Sequence, residues 1–78
     1  MPVVFRHGPY RFFFYSDEGK EPIHIHIERD DQVAKFWVLP VSVADSGGFT
    51  TKELGKIQSL VIQHREIIIN RWHEHFDI

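Results

Sequence analysis

Pro22-Ile23-His24-Ile25-His26-Ile27-Glu28 decides the fold, because its side chains alternate without a break. In an extended chain Ile23, Ile25 and Ile27 fall on one side, and His24, His26 and Glu28 on the other. That pattern, rich in β-branched residues, marks a strand with one apolar face. Such a strand needs neighbours, and the sequence on both sides provides them. Upstream, Met1 to His7 reads as a short strand ended by Gly8-Pro9, Tyr10 to Tyr15 as an aromatic strand, and Ser16 to Pro22 as a loop. Downstream, Arg29 to Gln32 is a polar connection of hairpin length, Val33 to Leu39 is the next strand, and Val41 to Ala44 is a short edge strand that tolerates Pro40 at its start. Nothing between these strands is long enough for a parallel crossover, so they form an antiparallel meander of three to five strands.

The pattern changes after Asp45-Ser46-Gly47-Gly48, where Phe49 to Leu54 carries a double helix-start signature. Thr50 and Glu53 make a T-x-x-E capping box, and Phe49 and Leu54 occupy the positions of a hydrophobic staple. Continued at about 100° per residue, Leu54, Ile57, Val61, Ile68 and Trp72 form one stripe, but Gln58 and Arg65 fall near its middle. A break near Gln63 to Arg65 resolves the conflict and gives helices over about 51–63 and 65–76; one bent helix is the alternative. The fold class is therefore α+β: a meander sheet followed by one bent or two consecutive helices packed on one sheet face. No repeat or linker divides the chain, and residues 1–78 read as a single domain.

Composition narrows the function classes. The 78 residues are 42% hydrophobic and hold no cysteine, which excludes a disulfide scaffold and a thiolate zinc finger. A chain of this size buries roughly 60% of its unfolded surface, so association with a partner is expected. Nine Lys and Arg against eleven Asp and Glu give a net charge of -2, which offers no bulk attraction to phosphate backbones or anionic membranes. Apolar runs are too short to span a bilayer, and the first residues lack a signal-peptide core, so a cytoplasmic location is the expectation.

Six histidines are several times ordinary usage. His24 and His26 point the same way and are spaced to share a metal ion. Three same-side residues ending at Glu28, however, span about 13 Å, so a further ligand such as His73 or His75 would be required. The pair is similar to the His-x-His of cupins in those two residues alone. Packing against aromatic neighbours on a half-exposed sheet face is the simpler account, and no metal or cofactor is expected. With Arg11, Phe13 and Tyr15 from the preceding strand and Lys35 and Trp37 from the following one, the face would unite Arg11, Tyr15, His24, His26, Glu28, Lys35 and Trp37. Tyr, Trp and Arg anchor interfaces, and such a face also suits stacking of unpaired bases, although its basic density is low for RNA. At the other end, His73 and His75 lie where a cation complements the helix dipole, and His64 falls at the helix break as a cap. The serines lack an elbow motif, and Gly47-Gly48 reads as a turn and not as a phosphate cradle.

Four segments taken together, Pro22 to His26, Ala34 to Trp37, Ala44 to Phe49 and Trp72 to Phe76, resemble the small bacterial domain-of-unknown-function family 4160 over nearly the whole chain. The resemblance implies a fold and a bacterial setting with no assigned chemistry. Members are often encoded beside another short protein, an arrangement similar to toxin and antitoxin pairs, which implies a small cognate protein as partner. The expectation is therefore a binding module or homo-oligomer acting through the His/aromatic face. The alternatives are a ribonuclease-like toxin, with His24 or His26 as general base or acid and Arg11 and Lys35 stabilising phosphorane charge, and a metal-binding protein using His24 and His26.

Overall fold

The computed structural model describes residues 3–15 and 19–76. Five strands in sequence order, β1 (Val3–His7), β2 (Tyr10–Phe13), β3 (His24–Arg29), β4 (Gln32–Val38) and β5 (Val41–Asp45), form one sheet in which every neighbouring pair is antiparallel. Two helices follow, α1 (Thr51–Gln63) and α2 (Arg65–Phe76). The meander therefore has its full five strands and the helical segment is broken in two. Residues 1–2 of the expected first strand and residues 16–18 of the expected loop lie outside the described residues. Among the described residues no helix is long and apolar enough to cross a membrane.

The β3 alternation sets the layers. Ile25 pairs with Phe36, and Ile27 with Phe12 and Ala34; all five are fully buried against Ile57, Val61 and Ile68 of the helices. Each large side chain buried there contributes about 1.5 to 3 kcal/mol of transfer free energy. The β3–β4 turn is tighter than the sequence suggested: Asp30 and Asp31 alone connect the strands, and Asp30 sits at φ 56°, a conformation Asp tolerates in hairpin turns.

The helix break has a physical cause at His64. Its backbone caps α1 with φ -106°, and its Nδ1 donates at 2.9 Å to the Leu60 carbonyl, which also accepts from the His64 backbone N–H at 3.0 Å. The turn frees α1 to bury Ile57, Leu60 and Val61 while α2 buries Ile68 and Trp72, with Gln58 half-buried and Arg65 exposed. At the other end of α1, Thr50 Oγ1 accepts from Glu53 N at 3.2 Å, and Phe49 and Leu54 both pack on the core.

The Asp45–Gly48 corner depends on Gly47. It sits at φ 59°, donates its N–H to Asp45 Oδ1 at 3.0 Å, and passes so close to β4 that a Cβ there would run into the Val33 carbonyl. Gly47→Ala is therefore expected to destabilise the chain by about 1 to 3 kcal/mol. Gly55, in mid-helix with open space where a Cβ would stand, predicts the opposite sign: Gly55→Ala should stabilise by about 0.5 to 1 kcal/mol. Urea denaturation of both variants checks the pair, and an unchanged midpoint for Gly47→Ala would show that the corner does not require glycine.

Candidate functional site

The strand register brings the expected face together. Arg11 lies opposite Glu28, Phe13 and Lys35 flank His26, and Trp37 lies opposite His24. Arg11, Glu28, Lys35, Trp37 and the two histidines thus share the side of the sheet opposite the isoleucines, and Tyr15 leans onto His26 from the end of β2, with ring centroids 4.6 Å apart.

The histidines pack against aromatic neighbours, as expected of them, and lie deeper than the half-exposed face on which they stand. His24 is 0% and His26 is 7% exposed. The cause is aromatic coverage from three directions. His24 stands edge-on to Trp37, to His26 and to Trp72, which reaches it from α2 at 5.0 Å. Its Nδ1 donates to the Pro22 carbonyl at 2.9 Å, which assigns the proton to that nitrogen, since the carbonyl can only accept. His26 stacks on Phe13, which is itself 1% exposed, with Tyr15 packed edge-on against both rings.

The charged members cover the rings and pair with one another. The Arg11 guanidinium lies 4.6 Å from the Phe13 ring centre and donates to Glu28 Oε1 at 2.8 Å. Lys35 lies over Trp37 at 4.7 Å and donates to Glu21 at 2.6 Å. Glu28 is thus held across the sheet by Arg11 and not by Lys35. Tyr15 is 38% exposed and Trp37 is half-buried, and beside them the paired charges are also open in part, with Glu28 and Glu21 more so than Arg11 and Lys35. The face can therefore present rings in fixed positions with their neighbouring charges already neutralised.

The site residues proposed for the alternatives fare differently. Among the described residues no three His, Asp or Glu side chains are placed to hold one metal ion, and His73 and His75 are exposed on α2. As general base or acid, His24 and His26 would have to act from beneath Trp37, Trp72 and Tyr15.

Sequence reasoning missed a second polar centre. Glu53, assigned to the capping box, turns away from its own helix start. Its Oε2 accepts from Arg29 Nε at 2.6 Å and from the Tyr10 hydroxyl at 2.8 Å, while Oε1 accepts from Arg29 Nη2 at 2.9 Å. Arg29 also lies over the Phe49 ring. The bidentate Arg29 bond holds the Glu53 carboxyl below its ordinary range against the opposing effect of burial, and the Tyr10 bond adds to the lowering. Burial first, then the bond to Glu53, pushes the Tyr10 phenol up, so it remains a donor. An Arg at a strand end and a Tyr at a strand start were the available signals, but neither names its partner.

The sequence profile described as Domain of unknown function (DUF4160) matches residues 10–73. No curated protein and no solved structure matches the chain.

A carboxyl whose folded pKa is lowered contributes stability above its unfolded value, about 4.5 here, and loses it as pH falls through the lowered one. Glu53→Gln should therefore lower stability near pH 7, with the gap from the parent closing as the medium is acidified below the carboxylate range. Urea midpoints of both proteins across that range measure it. A gap that stays constant would show that Arg29 and Tyr10 do not depend on the charge of Glu53.

Proposed function

The chain belongs to the family described as domain of unknown function DUF4160, a membership without assigned chemistry, and we propose that it is a binding module that pairs with a small protein, as toxin and antitoxin do, through the face of its sheet opposite the isoleucines. The observation that carries this reading is the Tyr15 and Trp37 pair. Both rings are partly open to solvent, are supported from below by Phe13, His26 and His24, and stand on the side of the sheet away from the main core. Rings held this way lose little freedom on binding and are the side chains that most often anchor interfaces.

Charge favours protein over nucleic acid. Arg11 and Lys35 are engaged by Glu28 and Glu21, so the face offers phosphates no unengaged cation from its own set. The same pairing weakens the ribonuclease alternative, in which these two cations would stabilise a phosphorane while His24 and His26 exchange protons from buried positions.

Affinity capture with the tagged chain tests the proposal. Tyr15→Ala and Trp37→Ala should each reduce recovery of the co-purifying protein by about tenfold or more, the loss expected of an interface anchor. Ile62→Ser, on the outer side of α1, should leave recovery unchanged. Equal recovery with all three variants would move the interface elsewhere. RNA incubated with the purified chain should remain intact; cleavage that disappears in His24→Ala would replace this reading with the enzymatic one.

A further inference from the structure

Two histidines that take no part in the sheet face meet on the other side of the molecule. Phe5 of β1 stacks on Phe12 at 4.1 Å and on the ring of His64 at 4.2 Å, so it faces the helices. His7, two residues along the same strand, projects to the same side, and its ring centre lies 6.2 Å from that of His64. We propose that His7 and His64 form a binding site for a divalent transition metal ion of the zinc, nickel and copper class, clamping edge strand β1 to the corner between α1 and α2.

His64 is prepared as a ligand. Its Nδ1 must carry the proton that it donates to the Leu60 carbonyl at 2.9 Å, which leaves Nε2 as the nitrogen with an available lone pair. Metal-ligating histidines are commonly oriented in this way, with the second nitrogen donating to a backbone carbonyl. Phe5, stacked within 24° of parallel, fixes the ring plane. His7 is exposed and able to rotate, and His64 is only half-buried, so an ion has access to both.

The spacing fits. With metal–nitrogen bonds of about 2.1 Å, ring centres on one ion stand about 5 to 6.5 Å apart as the ligand angle opens from tetrahedral to linear. The observed 6.2 Å lies within that interval, and rotation of His7 shortens it. Imidazole suits zinc, copper and nickel and does not suit calcium or magnesium, which sets the class of ion. Two protein ligands leave the remaining positions to water, so the ion is exchangeable and the site is open, unlike a closed structural zinc site. It lies on the helix side of the sheet and is independent of the docking face.

Thermal melting of the full chain with zinc sulfate tests this. At free zinc about five times the dissociation constant, the melting temperature should rise by about 4 to 8 °C. The rise, taken against each variant's own metal-free melting temperature, should vanish in His7→Ala and in His64→Ala and persist in His73→Ala. Removal of the exposed His7 leaves the Phe5 and Leu60 contacts of His64 in place, so His7→Ala remains decisive if His64→Ala fails to fold. No rise up to about 1 mM zinc, or a rise that survives His7→Ala, would overturn the proposal.

Discussion

A single helical layer must serve a sheet with two faces, and most of this structure follows from that constraint. The middle strand β3 has paired neighbours on both sides and cannot leave either face open without exposing large side chains. On one face the isoleucines receive α1 and α2. On the other, the sheet covers itself with Phe13, His26, His24 and Trp37, roofed by Arg11 and Lys35, whose cations lie over rings and whose charges are met by Glu28 and Glu21. Long basic side chains suit this role because their stems are apolar while their heads remain wet. Histidine suits the layer beneath, being flat, able to stack, and able to donate to a backbone carbonyl as His24 does to Pro22.

The two layers are joined at opposite ends of the molecule by different physics. At the start of α1 the joint is polar: the Glu53 carboxylate gathers Arg29 from β3 and Tyr10 from β2, so helix register and strand register are tied through one charged group. At the end of α2 it is aromatic. Trp72 meets Phe14 and His24, and the Phe76 ring closes over Gly19, where any Cβ would press into that ring. The rigid polar joint fixes direction, while the aromatic joint seals the open end of the sheet and buries His24 from the helix side.

Local chemistry made some of this legible and left the rest hidden. The layer order followed from the alternation of Ile23 to Glu28, and both helix boundaries followed from the Thr50 cap, the Phe49 and Leu54 staple, and the misfit of Gln58 with Arg65 on one stripe, since each of these signals acts within a turn or two of chain. The burial of His24 was not legible, because it depends on Trp72, a residue distant in sequence whose ring stands 5.0 Å from that of His24. The fate of Glu53 was misread for a related reason. A capping box offers the carboxylate one neutral backbone N–H, whereas Arg29 offers two charged donors in a planar fork, and the stronger long-range pairing wins. The register could thus be anticipated from alternation, whereas the depth of the histidines beneath that half-exposed face could not.

That difference alters what the face can recognise. A half-exposed histidine pair would have offered proton exchange or metal ligation, both of which need lone pairs open to solvent. A buried pair offers support: its contribution is to hold Tyr15 and Trp37 at fixed heights above the sheet. Docking then need not break the Arg11–Glu28 or Lys35–Glu21 pairs, whose separation would leave charges desolvated at an interface. Under the proposed pairing, a partner that covers the two rings and leaves those ion pairs at the rim would satisfy both requirements with a surface apolar at its centre and uncharged where it meets the aromatic layer.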